Sequence, residues 1–439
     1  MSVQRSSSAR SIHRKALVLS AATVVAALTL AGCSGGAGGS SSDGAAKTLK
    51  VLIAAPQEGA GKILQADFEE KTGVKVDVEV VPYDQIQTKA ILDAQSGTKN
   101  YDVIQYWYTS VGALAQAGAL EDITDWVEND ADIDSSDFIQ SIFGPYTQAE
   151  GKTYGLPIDG DTHVLFYNKE ILERNGVAVP TTWDEYTAAA KKITEAEKAN
   201  GVYGAAILGA KSAFNIGSTF FNRLATMTPG TIDSQMPQLN TPEAVAAAQS
   251  MLDVAPYSLP SPLEVGFEQA LPQFLSGNVG MIEFWTDLGT FSQDASQSKI
   301  VDKWGVAPLP IGPEGHVAGA LNAGWAMGIS PNAADQDLAK QFVAFASSKE
   351  VNEKLITTTG SGVDPIRTST LDSDKYKAFA PEVSAVAAEV FPNVQSWPTS
   401  PQAPEMIQTL NDNLALMLQG SLTAQQAMDQ TWDAWQKLG

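Results

Sequence analysis

The stretch TLKVLIAAPQEGAGKILQADFEEKTGVKVDVEVVP, Thr48–Pro82, decides the fold. Its first eight residues are rich in β-formers. Ile63, Leu64, Ala66 and Phe68 then recur at helical spacing up to a Thr72-Gly73 stop, and Val74 to Pro82 alternates apolar and polar like a strand. Strand, helix, strand without a tight turn is the pattern of a parallel βαβ unit, because parallel neighbours need a crossover. The next residues repeat it. YDQIQTKAILDAQSG is an amphipathic helix closed by Gly97, DVIQYW (Asp102–Trp107) a third strand, and VGALAQAGAL a short helix. The rhythm continues with HVLFYN (His163–Asn168), then a helix opened by a capping box of Thr182 and Glu185 and stopped at Gly201. VYGAAIL follows, and a helix with Thr241 as cap and Pro242 in its first turn. EQALPQFLSG leads into NVGMIEFW, WAMGIS into DQDLAKQFVAFASS, and two helices close the chain near Gln402–Gln419 and Leu422–Lys437. An α/β protein with parallel βαβ units is expected.

The N-terminus reads differently. Arg5, Arg10, Arg14 and Lys15 precede an uncharged run, Ala16 to Leu30, and then Ala31-Gly32-Cys33. A basic start, an apolar run and small residues make a secretory signal. The run is shorter than the ~20 residues that span a bilayer. Leu30-Ala31-Gly32-Cys33 resembles the bacterial lipobox. That resemblance implies cleavage before Cys33 and lipidation of the only cysteine in 439 residues. Two or more acyl chains, at ~0.8 kcal/mol per buried methylene, hold a protein on a membrane. Ser34 to Ala46 is glycine- and serine-rich linker. Residues 1–32 are thus the expected signal, and 33–46 the lipidated cysteine and tether.

The remaining residues exceed one ordinary core and suit two lobes. The formal net charge is −22, and the four basic residues of the signal leave with it. So acidic a chain does not hold nucleic acid by neutralising phosphates. With one cysteine, there is no disulfide framework.

Three stretches in order resemble the bacterial extracellular solute-binding proteins of the carbohydrate, maltose-binding-like group. They are GKTYGLPIDGDTHVLFYNKEILERNGVAVPTTWDEYTAAAKKIT (Gly151–Thr194), GNVGMIEFWTDLG (Gly277–Gly289), and ALNAGWAMGISPNAADQDLAKQFVAFASSKE (Ala320–Glu350) followed by GSGVDPIRTSTL. The resemblance implies a two-lobed α/β fold of the type II periplasmic-binding-protein kind, a cleft between the lobes, and hinge crossings near Ile158–His163, Val317–Ala320 and Gly360–Thr370. It assigns 47–159 and 320–362 to lobe 1, and 160–317 and 363–439 to lobe 2. It further implies a sugar or polyol cargo, delivery to the transmembrane subunits of an ABC permease, a monomer, no catalysis and no cofactor.

A sugar presents hydroxyls on all sides and apolar C–H faces. Its site therefore wants flat rings beside carboxylates, amides or arginine, since charge-assisted hydrogen bonds are the stronger kind. The candidates are Gln57 and Glu58 after the first strand, Tyr106, Trp107 and Thr109 ending the third, and Asp161 at the first crossing. Further candidates are Phe284, Trp285 and Asp287 ending a strand of the second lobe, Asn322, Gly324 and Trp325 past the second crossing, and Arg367 in PIR. Gly324 is expected to let backbone approach the ligand, and Arg367 to meet ligand or an acid across the cleft. The family pattern offers a carboxylate beside Tyr106 and Trp107, and this chain has none between Asp102 and Glu121. Any ring could instead fill a lobe core. His163 and Phe214-Asn215 are weaker candidates, and Trp432 and Trp435 suit helix packing.

Three rivals stay in view. An exported glycosidase needs two carboxylates at set separation, but no catalytic motif is present. A metal carrier needs clustered ligands. Beyond the signal, His163 and His316 lie far apart, and DADIDSSD (Asp130–Asp137) has Ser135 where a calcium loop needs glycine and Ser141 where it needs glutamate. An amino-acid or peptide carrier of the same plan needs an arginine for the carboxylate, for which Arg367 could serve.

Overall fold

Alternating strands and helices build two sheets. The structure, a computed structural model, describes residues 47–227, 235–313 and 321–438. The signal, Cys33, the tether and the crossing expected at Val317–Ala320 lie outside the described residues. Among the described residues eleven strands form: β1 Thr48–Ala54, β2 Lys75–Val81, β3 Val103–Trp107, β4 Gln148–Ala149, β5 Lys152–Thr153, β6 Leu156–Asp159, β7 His163–Asn168, β8 Tyr203–Ala206, β9 Val279–Trp285, β10 Trp304–Ala307 and β11 Trp325–Ile329. The first lobe centres on a sheet in the order β2-β1-β3-β11-β6, the second on β10-β7-β9-β8, while β4 and β5 form a small hairpin.

In the first sheet, β1 pairs parallel with β2 and β3. The expected helices lie between them at Glu58–Thr72 and Ile86–Ser96. Each ends on a glycine with positive φ, Gly73 at 71° and Gly97 at 66°, where a side chain would be strained. The strand β3 is buried on both faces, as strands covered by helices are. The second half corrects the expectation of parallel units throughout. There β8 pairs parallel with β9, but β7 is antiparallel to both β9 and β10. Likewise β11 is antiparallel to β3 and β6. The reason is entry from the crossings: β7 and β11 start at the junction of the lobes, whereas β1, β3, β6 and β9 end there.

The crossings lie side by side. Residues 160–162 join β6 to β7, and the chain returns between β10 and β11. Thr162 bridges antiparallel to Asn322. The Ala323 amide donates to the Asp161 carbonyl at 2.9 Å, and the Thr162 hydroxyl to the Leu321 carbonyl at 2.9 Å. Residues 361–367 join the same bundle, with the Asp364 amide donating to Asp159 Oδ1 at 2.7 Å. A further strand-like segment is tied in where the Asn322 amide donates to the Gln395 carbonyl at 2.7 Å. The capping box forms as read: Thr182 Oγ1 accepts from the Glu185 amide, whose carboxylate reaches back to Thr182. The closing helices span Ala403–Leu418 and Ala424–Trp435. Trp435 is buried between them, its indole donating to the Met406 carbonyl at 2.8 Å.

Candidate functional site

Strand ends from both lobes deliver rings to one seam. Trp107 ends β3 and Trp325 begins β11, directly paired in register. Trp285 ends β9, opposite His163 at the start of β7. Two rings close the gap. Tyr83, in the turn Tyr83–Gln85 after β2, lies 5.6 Å from Trp325 and 5.7 Å from Trp107. Phe214 of the second lobe lies 5.3 Å from Tyr83 and stacks on Trp285 at 4.3 Å. Trp397 flanks Trp107 at 5.5 Å. Phe214 sits on a π-helical turn, Ala213–Gly217, held by Ser212 accepting from the Asn215 amide. Such turns re-aim side chains and are frequent at functional sites.

Trp285 is 1 % exposed, Trp325 2 % and Trp107 4 %. Yet polar atoms along the seam lack protein partners: the indole N–H of Trp285 and of Trp397, Gln57 Oε1, and Asp287 Oδ1. Buried polar groups without partners are rare because each costs roughly 1–3 kcal/mol. Donors and acceptors left open beside flat rings are what a polyhydroxylated ligand would satisfy.

Four carboxyls lie at the same strand ends and crossings. Asp159 ends β6, Asp161 lies in the first crossing, Asp287 follows β9 and Asp364 lies in the third crossing; all are buried or nearly so. Asp159 accepts from Gln57 Nε2 at 3.0 Å and from the Asp364 amide. Asp161 Oδ1 accepts from the Thr286 hydroxyl at 3.0 Å and the Thr286 amide at 3.3 Å. Burial first, and repulsion from the other acids second, push the carboxyls of Asp159, Asp161 and Asp287 well above the usual range. Burial raises Asp364 to about 6, with hydrogen bonds holding it below the others. The cluster arises from three segments far apart in sequence. Among the described residues no group of three or more His, Cys, Asp or Glu is arranged to hold a metal ion.

The structure gathers Gln57, Trp107, Asp161, Trp285, Asp287 and Trp325 of the predicted set around this seam. The others are placed elsewhere. Glu58 is exposed and pairs with Lys62 at 2.6 Å on its own helix. Tyr106 alternates away from Trp107 into the first lobe, its hydroxyl donating to the Tyr146 carbonyl at 3.2 Å. Thr109 is buried in the turn before the helix Val111–Gln116. Phe284 backs the seam within the second lobe, 4.9 Å from Trp285. Asn322 ties crossings together, its amide donating to the Ser141 carbonyl at 2.8 Å and the Ser396 hydroxyl at 2.7 Å. Gly324 serves close packing rather than ligand approach, since a Cβ there would stand 2.0 Å from the Asp159 carbonyl oxygen.

Arg367 turns away from the seam. Its guanidinium donates to the carbonyls of Ser347 at 2.8 Å, Asp134 at 3.1 Å and Ile133 at 2.9 Å, and lies 4.0 Å from the Phe138 ring. The acid it meets is Asp137, at 3.5 Å, on the DADIDSSD run. That run folds as short 3₁₀ turns, Ala131–Ile133 and Ser135–Asp137. The sequence reading missed Tyr83, Trp397 and Asp364. Tyr83 directly follows the Val-rich β2 and Pro82, the one local signal available. A surface cavity of about 770 Å³, lined by Lys169, Gln293, Asp302, Trp304, Phe379 and Glu382 among others, contains none of the predicted residues.

Comparison with known proteins agrees with this architecture. The family model for bacterial extracellular solute-binding proteins matches residues 50–353. A probable amino-acid ABC transporter periplasmic-binding protein of Sinorhizobium fredii is 26% identical over 369 residues, covering 82% of either chain. An arabinooligosaccharide-binding protein of Halalkalibacterium halodurans is 25% identical over 363 residues, covering 78% of this chain and 77% of its own. Among solved structures, a solute-binding protein of an ABC transporter from Agrobacterium radiobacter, in complex with ribitol, superposes with a TM-score of 0.81 at 25% identity, covering 90% of this chain and 99% of that one. Two α/β lobes, crossings bundled between them and a matching family model lead to one conclusion: the chain belongs to the bacterial extracellular solute-binding proteins.

Proposed function

We propose that this protein captures a sugar or polyol in the seam between its lobes and delivers it to the membrane subunits of an ABC importer, working as a monomer held at the outer face of the membrane by lipid on Cys33. The observation that carries the reading is the seam itself: rings of Tyr83, Trp107, Phe214, Trp285 and Trp325 beside unpartnered polar atoms of Gln57, Trp285 and Asp287. Rings cover the C–H faces of a sugar and the open donors and acceptors take its hydroxyls. The ribitol-bound neighbour and the arabinooligosaccharide-binding relative support a polyhydroxylated cargo.

An amino-acid cargo, as the Sinorhizobium relative's name suggests for that protein, requires a guanidinium for its carboxylate. All three arginines among the described residues are paired within the fold: Arg174 with Glu197, Arg223 with Glu283 and Arg367 with Asp137. Capture rather than hydrolysis is supported by the relatives and neighbours, which are binding proteins. Thermal melting of residues 47–439 against sugars, polyols, amino acids and metal ions tests the proposal. A ligand that binds only the folded form adds about 2.7 kcal/mol at a hundred times its Kd. A shift with one sugar or polyol class is expected; shifts with amino acids alone would overturn the cargo assignment.

A further inference from the structure

The four carboxyls, those of Asp159, Asp161 and Asp364 buried and that of Asp287 half-buried, join elements of both lobes without a basic partner. Asp159 and Gln57 belong to the first sheet's strand ends, Asp287 to the end of β9 in the second, and Asp161 and Asp364 to the crossings. Among the described residues none of the four takes part in an ion pair. The groups facing them are acidic or neutral. Tyr376, from the helix Asp374–Phe379, faces Asp364, Asp161 and Asp287. Tyr146, from the helix Gln140–Thr147, faces Asp159 and Asp161. Thr286 and Gln57 complete the surround. A cavity of about 10 Å³, room for about one water-sized sphere, lies between Thr286, Asp287, Ser361, Gly362, Asp364 and Tyr376. Three oxygens here have no partner: Asp287 Oδ1, Asp364 Oδ2 and the hydroxyl of Tyr376, which is 2 % exposed.

Uncompensated ionised carboxylates cannot stay buried together; such a group takes a proton instead. Protons shared over the cluster supply the charge that the surrounding side chains do not. Asp287 follows a strand of the second sheet, whereas Gln57 and Asp159 lie at the first, so separation of the lobes would draw them apart and admit water. We propose that closure of the two lobes takes up protons at the cluster of Asp159, Asp161, Asp287 and Asp364, so that acidification closes the cleft and alkalinisation opens it.

The sign follows from linkage. Closure raises these carboxyls, so the closed form binds more protons, and closure is favoured at low pH and weakened as pH rises through the closed-form values. The acids titrate as a unit rather than one by one. His163 does not blur the effect: it packs 4.5 Å from Trp285 on the same sheet, a contact that lobe separation leaves intact.

The inference rests on the two-lobed fold and not on the cargo, so a failed cargo screen leaves it standing. Spin labels placed at Leu92 and Glu195, both exposed and on opposite lobes, report the interlobe distance in the processed protein purified in detergent. The distance distribution should be short at pH 5 and lengthen by pH 8, with the open-to-closed ratio rising up to tenfold per pH unit for each proton released. Asp364→Asn and Asp287→Asn, which cannot ionise, should flatten that change or move it to higher pH. Melting at pH 5 identifies a variant that fails to fold, in which case the other carries the comparison. A distance independent of pH, or an unchanged transition in the folded variants, would overturn the proposal.

Discussion

Replacing Arg367 by alanine separates a cargo-binding arginine from a structural one. In the structure this side chain is 4% exposed. It donates to the carbonyls of Ser347, Asp134 and Ile133 and to Asp137, and covers the Phe138 ring. Truncation leaves buried carbonyls open at roughly 1–3 kcal/mol each and removes a cation–π contact of about 1–2 kcal/mol. Asp137 keeps other donors, the Ser369 amide at 3.0 Å and its hydroxyl at 2.6 Å, so its own loss is small. Relaxation trims the sum, and the net falls at about 3–5 kcal/mol, the cost of breaking a buried pair. At about 2 °C per kcal/mol for a chain this large, the apparent Tm drops by about 6–10 °C. Arg367→Lys should recover little, because an ammonium cannot reach carbonyls arranged for a planar fork. Melting by circular dichroism and titration calorimetry with the best ligand of the panel, run below the lowered Tm, read the two effects apart. The Tm should fall while Kd changes less than threefold. An unchanged Tm with lost binding would refute the assignment and return Arg367 to the site.

The remaining predictions concern the seam, the packing of the crossings and the anchor. Trp285→Ala should weaken cargo binding at least tenfold by calorimetry; unchanged affinity would show that the ring only fills the seam. Gly324→Ala drives a methyl against the Asp159 carbonyl, so soluble yield and Tm should both fall, and a wild-type melt would contradict that packing. Burial holds the His163 imidazole down at about 3, so its NMR signals should stay at neutral-form shifts to pH 4. This depressed value adds stability that is present above pH 6.5 and lost as pH falls towards 3, and a midpoint near 6.5 would mean that the ring is hydrated. Cys33→Ser should abolish metabolic lipid labelling and leave uncut precursor; normal labelling would end the anchor argument.

Local chemistry made much of this protein legible. Helix periodicity, Gly73 and Gly97 as stops, and Thr182 with Glu185 as a capping box are decided within a few residues, so the alternation of strands and helices could be read directly, and with it three order-specific motifs of the family. Strand termini are legible too, which sets Trp107, Trp285 and Trp325 at the edges of their strands. Strand direction was not legible, because it depends on where the chain crosses between lobes. Nor was the side of β3 on which Tyr106 and Trp107 fall, since a strand buried on both faces carries no polar alternation to mark them. Arg367 read as a ligand contact because its sequence neighbours lie at a crossing, yet apart from the Ser347 carbonyl its partners come from residues 133–138, more than two hundred positions away. Tyr83 and Phe214 meet across the seam, and Asp159, Asp161, Asp287 and Asp364 gather at the strand ends and crossings, only once both sheets are in place. Burial is a property of what packs on a residue from elsewhere in the chain. The sequence therefore determined the elements and the family, while the tertiary structure alone decided which acids gather and which rings face the seam.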